Sequence, residues 1–152
     1  VTARVWFRQA WRDWGGVAAI DANGLGGGPF DEIRAEYPEM HTRGFVSQSK
    51  ARKADRFSNL KTEAAWDLRE RMIDGNYAIP DGPHRDRLKK DLMGYLWEVD
   101  KQGRIKIVDP PHSPDYGDAA IMAHWRQTGS GLAEFDVVVG HRESIVSKAK
   151  DF

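Results

Sequence analysis

Val17-Ala18-Ala19-Ile20-Asp21-Ala22-Asn23-Gly24-Leu25-Gly26-Gly27-Gly28-Pro29 is the stretch that decides the fold class. Its first four residues form a short apolar run after the turn signal Gly15-Gly16, the pattern of a strand buried on both faces of a sheet. The run ends in a carboxylate, Asp21. Carboxylates at the carboxyl ends of parallel strands line the crevice where open α/β sheets bind ligands. The glycines that follow make a turn, and Pro29 stands where a first helical turn begins. Their spacing is not G-x-G-x-x-G, so dinucleotide binding is not indicated.

Upstream, Ala3, Trp6, Phe7, Ala10, Trp11 and Trp14 recur at i, i+3, i+4, i+7, i+8 and i+11, one apolar stripe of a helix that covers a face of the sheet. Downstream, Phe30, Ile33 and Tyr37 share helical spacing, Pro38 stops that helix, and a short strand around Gly44 to Val46 completes a βαβ unit with parallel pairing. Leu60 to Ile73 reads as a long helix with Ala65, Leu68 and Met72 on one face, Asn59 as cap and Gly75 as stop. Leu88 and Leu92 mark a further short helix. Tyr95, Trp97 and Val99 alternate, Lys101-Gln102-Gly103 turns, and Ile105 and Ile107 alternate again, which gives a hairpin near residues 94–108. The last helix is expected to start near Asp118 and to carry Ala119 to Trp125. A Gly-Ser-Gly linker at 129–131 and a strand through Val137 to Val139 follow. The class is α/β, a mixed sheet flanked by helices. The domain is expected over 1–126, with 127–152 as a C-terminal extension.

The 152 residues suit one domain. With no cysteine, disulfides and thiolate zinc sites are excluded, and a metal would be held by carboxylates, imidazoles or water, which favours hard cations such as magnesium or manganese. No apolar run reaches membrane-spanning length, and no signal-peptide pattern opens the chain, so a cytoplasmic location and no membrane partner are expected. The chain begins with Val1 and enters a helical pattern at once, as a piece of a longer protein would. No Walker A loop and no G-x-S-x-G elbow is present.

Net charge is zero, 23 basic against 23 acidic, so a nucleic-acid role rests on local clustering. Lys50, Arg52, Lys53 and Arg56 lie within seven positions and are candidate phosphate contacts, or else a solvated loop. Asp21 is a candidate metal ligand, or else a turn-stabilising or capping residue. Asp115 and Asp118, three apart at the start of the last helix, are expected there for capping and for the helix dipole. Folded against the sheet, Asp118 can come beside Asp21, and paired carboxylates favour a divalent cation between them. His41, His84, His112, His124 and His141 show no paired metal spacing and read as ordinary polar positions, and the helical Met and Trp residues as core.

Taken together, four segments resemble the nuclease domain of the large terminase subunit of tailed bacteriophages and prophages. Val17 to Gly26 resembles that family's second acidic motif. Ser49-Lys50-Ala51, Arg56-Phe57-Ser58-Asn59, Glu63 and Trp66 resemble its middle segment, Tyr95 to Ile107 its hairpin, and Ser113-Pro114-Asp115-Tyr116-Gly117-Asp118-Ala119 its last acidic motif. Order and approximate spacing agree from about residue 3 to residue 126. The resemblance implies a ribonuclease H-like fold and an endodeoxyribonuclease that cuts concatemeric viral DNA during packaging. Two Mg2+ or Mn2+ ions would be held by Asp21, Asp118 and Asp115, with Asp118 the favoured ligand of the last motif. It further implies double-stranded DNA, the phage portal and the small terminase subunit as partners, an upstream ATPase domain, and a first strand with its Asp upstream of Ala3. Another ribonuclease H-like nuclease, such as a resolvase, and a non-catalytic DNA- or protein-binding remnant are the rival readings.

Overall fold

Helix α1, Ala3–Trp14, stops where Gly15 and Gly16 take positive φ (66° and 85°), a conformation that side chains with a Cβ resist. A computed structural model describes residues 3–23, 29–79 and 81–125. The glycine turn at 24–28 and the extension with its expected strand at Val137 to Val139 therefore lie outside the described residues. Phe7 and Trp11 of α1 pack on a cluster of Ile20, Ile33, Tyr37 and Met40, so the helix does cover the first strand. Trp6 and Trp14 do not join it and stay 65% and 83% exposed, which corrects the expectation that every Trp on the stripe is core. The cluster under α1 is small, and one turn of aromatic side chains is enough to cover it.

Strand β1, Ala18–Asp21, and strand β2, Thr42–Phe45, pair in parallel, Ala18 opposite Thr42 and Asp21 opposite Phe45, with helix α2, Pro29–Glu36, between them in the chain. The expected βαβ unit is present. Only Ile20 of β1 is fully buried, and Val17 lies outside the strand at 46% exposure, because among the described residues β1 has one neighbouring strand.

Helix α3, Leu60–Ile73, forms as its sequence dictates: the Asn59 side chain accepts the Thr62 N–H at 2.9 Å, and Gly75 at φ 72° turns the chain out. Its Leu60, Ala64 and Leu68, at i, i+4 and i+8, pack with Phe45 of β2 and with Ile121, forming the second core cluster. Trp125 meets Phe45 edge-on at 5.2 Å. Helix α4, Arg85–Gly94, leads into the antiparallel pair β3, Leu96–Val99, and β4, Ile105–Val108. Gly103 at φ 78° makes the turn, and the Asp100 carboxylate accepts the N–H groups of Gln102 and Arg104. The hairpin joins the body where Ser58 N–H meets the Ile105 carbonyl and Ile105 N–H meets that of Arg56. Among the described residues the α/β fold thus contains two two-stranded sheets, and this bridge ties the β3–β4 hairpin to the segment that leads into α3.

Helix α5, Asp115–His124, packs on α3 and α4. It starts three residues before the expected position, and the reason is not local. Pro114 at its N-cap has no capping side chain; the acceptor comes from α4, where the fully buried Asp91 takes the N–H groups of Tyr116 at 3.0 Å and Gly117 at 3.3 Å.

Candidate active site

Asp21 ends β1, and the ladder continues one residue further, Ala22 N–H to the Phe45 carbonyl. One Asp21 oxygen accepts the Asn23 N–H at 2.9 Å, so the turn-stabilising reading of this residue is realised in the structure. Asn23 then ties the two strand ends together: its Nδ2 donates to Ser47 Oγ at 2.9 Å, and its Oδ1 accepts the Ser47 N–H at 2.8 Å.

Asp118, in the first turn of α5, is carried against these strand ends by the packing of Ile121 on Phe45 and Leu68. Asp21 and Asp118 line one small cleft together with Phe45, Ser47, Lys61 and Ile121. The sequence expectation that the chain would bring these two carboxylates together is met in the geometry. Asp115 is elsewhere: it is exposed, it accepts from Ser113 Oγ at 2.6 Å, and it is not among the residues lining that cleft. Nor is it the cap of α5, a place taken by Pro114 and served by Asp91.

Two residues that sequence reasoning missed stand at the centre of the site. Lys61, the second residue of α3, puts its ammonium 2.8 Å from Asp118 Oδ1 and 2.8 Å from Asp109 Oδ1, with its side chain only 13% exposed. Burial on its own lowers the pKa of this ammonium, but the hydrogen bonds and charges of Asp109 and Asp118 outweigh it and hold the group above the ordinary lysine range. Asp109 follows β4 directly, as Asp21 ends β1, so the same signal of a carboxylate at a strand end could have found it. Lys61 has no such signal in the sequence.

Tyr95 completes the arrangement. Its hydroxyl donates to Asp118 Oδ1 at 2.5 Å, and the Lys61 ammonium lies 5.5 Å from its ring centroid. Burial, reinforced by the hydrogen bond and charge of Asp118, pushes its phenol far up, so Tyr95 acts as a donor at any working pH. Both contacts to Asp118 fall on Oδ1.

The donor set is all oxygen and carboxylate, the chemistry of Mg2+ or Mn2+. Among the described residues no group of three or more His, Cys, Asp or Glu stands together that could hold a metal ion. A Mg2+ ion, however, is commonly bound through one or two carboxylates, keeping several waters. Asp21 and Asp118 fit that lesser requirement.

The basic segment is pinned along α3. Glu63 accepts the backbone N–H groups of Arg52 at 2.6 Å and Lys53 at 3.2 Å. Arg56 is engaged in packing: it bonds Glu70 at 3.2 Å and lies over the rings of Phe57 and Trp66. Lys50 and Lys53 make no ion pair among the described residues and point charge into solvent. Of the histidines, His112 bonds Asp91, His124 bonds Asp67 and His84 bonds Tyr116.

No protein-family profile and no curated protein sequence matches the chain. Among solved structures, its fold is similar to the nuclease domain of the large terminase subunit gp2 of bacterial virus Sf6, with a TM-score of 0.66 and 16% identity over 83% of this chain and 72% of that one. A lysine-to-alanine variant of that domain with manganese gives a TM-score of 0.63 and 18% identity over 82% of this chain and 72% of the other. The same variant with calcium gives 0.62 and 18%, over 82% and 71%. At such identities the likeness carries the fold, which is the ribonuclease H-like α/β fold expected from the sequence.

Proposed function

We propose that this chain is a metal-dependent DNA endonuclease domain of a phage large terminase, cutting concatemeric viral DNA during packaging. The observation that carries the reading is the meeting of Asp21 and Asp118, from the end of β1 and the start of α5, in one cleft. The fold shared with the gp2 nuclease domain, which has been solved with manganese and with calcium, supports it.

In this reading Asp21 and Asp118 hold a divalent cation, and Asp109 replaces Asp115 as the additional carboxylate if two ions bind. Bound there, the ions supply a water of lowered pKa and positive charge for the phosphoryl oxygens. The chain's own residues do the rest. Tyr95 fixes the rotamer of Asp118 through Oδ1, which leaves Oδ2 for a ligand. Lys61, 2.8 Å from each of Asp109 and Asp118, offsets their mutual repulsion and holds the two carboxylates close. Lys50, Arg52 and Lys53 neutralise phosphates of double-stranded DNA mostly without reading sequence. The portal, the small terminase subunit and an upstream ATPase domain are the partners that go with this role, in the host cytoplasm; among the described residues no helix is long and apolar enough to cross a membrane.

A second reading, a module that binds DNA without cutting it, is favoured by one feature: the Lys61 ammonium already sits on Asp118. Manganese-dependent nicking of supercoiled plasmid separates the two. The wild-type chain is expected to nick, and Asp21→Asn and Asp118→Asn to lose at least a hundredfold of that activity with unchanged circular dichroism. Equal activity in wild type and Asp21→Asn removes that residue from the reaction, and DNA binding without nicking by any form favours the second reading.

A further inference from the structure

Beside the carboxylate cleft lies a larger one, of about 470 Å3, within the range of ligand pockets. Ser47 and Lys61 line both, so the two adjoin. The larger cleft has an apolar wall of Ala22 and Val46, a polar side of Asn23, Ser47 and Gln48, and the ion pair of Lys61 with Asp109.

Accounting for its hydrogen-bonding groups shows what it offers. The first amides of α3 are spent: Leu60 N–H on the Ser49 carbonyl, Lys61 N–H on that of Ser47, and Thr62 N–H on Asn59. The Asn23 amide is fixed on Ser47 through both its atoms, one Nδ2 hydrogen to Oγ and Oδ1 from the N–H. Ser47 Oγ accepts from Asn23, which leaves its own O–H to donate outward. Gln48 Oε1 accepts from Asn59 Nδ2 at 3.1 Å, which fixes the amide and leaves Nε2 with no partner among the described residues. The cleft therefore presents the neutral donors of Ser47 and Gln48, adjacent residues, beside the Lys61 ammonium and the Asp109 carboxylate that pairs with it. Among the described residues no aromatic ring lines it on which a base would stack. Donors with a small apolar wall suit the phosphodiester and sugar of a nucleic-acid strand.

We propose that this cleft is a subsite for the sugar–phosphate next to the one at the carboxylates, with Ser47 Oγ–H and Gln48 Nε2–H donating to its phosphodiester oxygens. The proposal rests on the nuclease reading and names residues that the reading does not use. It explains how a strand is registered against Asp21 and Asp118 without sequence readout, since phosphate contacts position and base contacts specify.

The test is equilibrium binding of a 20-base-pair duplex, followed by fluorescence anisotropy in metal-free buffer at fixed salt, so that no cleavage enters. Hydrogen bonds to a charged group are strong enough that Gln48→Ala and Ser47→Ala should each weaken binding about tenfold. Ser47→Thr, which keeps the hydroxyl, should bind like wild type. Thermal melting at the wild-type midpoint shows that the Asn23 backbone tie survives. Wild-type affinity in both alanine variants overturns the subsite while leaving the nuclease reading intact. A wild-type chain that fails to bind duplex overturns both, and equal losses in Ser47→Thr and Ser47→Ala overturn the hydroxyl's role.

Discussion

Gly117 has no side chain where one would collide with the residues that hold Asp118. A Cβ there would lie 2.9 Å from Tyr95 Cε2, 3.1 Å from the Tyr95 hydroxyl and 3.1 Å from Asp91 Cβ. Neither ring nor buried carboxylate is free to move aside, so Gly117→Ala should cost about 1–3 kcal/mol as an overpacking change, read as a lowered urea midpoint with unchanged slope. Because Tyr95 must shift, the same variant should lose nicking activity beyond what its stability loss explains. A Gly117→Ala protein with wild-type midpoint would show that α5 has more room than this geometry allows. The requirement for glycine was not legible in the sequence, where Gly117 sat inside a motif read for its acids. Asp21, by contrast, was legible because a run of apolar residues ending in a carboxylate is a one-dimensional pattern. Lys61 was not, since its partners Asp109 and Asp118 are 48 and 57 positions away, a separation that only the fold removes.

Helix α5 shows the same limit at the level of the element. Local rules placed its start at Asp118, where an acid precedes Ala119 and Ala120; a capping acceptor supplied by α4 moved it back to Asp115. Asp91 is therefore an anchor for the element that carries Asp118, and it gives the protein an acid-sensitive joint. Burial alone would raise its pKa, but hydrogen bonds from His112, Gly117 and Tyr116 and the charge of Arg87 hold the carboxyl below the usual range. A group lowered in the folded state contributes stability above its unfolded pKa of about 3.9 and loses it as pH falls through the folded value. Melting midpoint against pH should accordingly drop on the acid side below about pH 4, and Asp91→Asn should make that limb shallower. It should not become flat, because Asp67 and Asp100 are also held low. An identical acid limb in wild type and Asp91→Asn would mean that this carboxyl does not link folding to protons. Helices α1 and α3 and the hairpin, whose caps, turns and stripes are local, were by contrast placed from sequence within a residue or two.

Across the whole molecule, zero net charge hides a division of labour. Carboxylates gather at the ends of β1 and β4 and the start of α5, around one lysine, while a basic segment is strapped to α3 through Glu63 and Glu70. The sequence grouped Lys50, Arg52, Lys53 and Arg56 as equals, and the structure separates them, since Arg56 is held between Glu70 and Trp66. Replacing Lys50 and Lys53 with Gln should reduce the salt slope of DNA binding by up to about two units, roughly 0.9 for each phosphate that is no longer neutralised. Arg56→Gln should leave that slope unchanged and lower the melting midpoint instead. The reverse pattern would return Lys50 and Lys53 to a solvated loop.

The account as a whole depends on whether Asp21 and Asp118, brought together by β1 and α5, share a cation. Manganese titration followed by the paramagnetic resonance of the free ion measures this without requiring turnover. The wild-type chain is predicted to withdraw manganese from solution, and Asp21→Asn and Asp118→Asn each to leave most of that ion free. Equal manganese uptake by all three proteins, or uptake by none, would contradict a metal centre at this cleft.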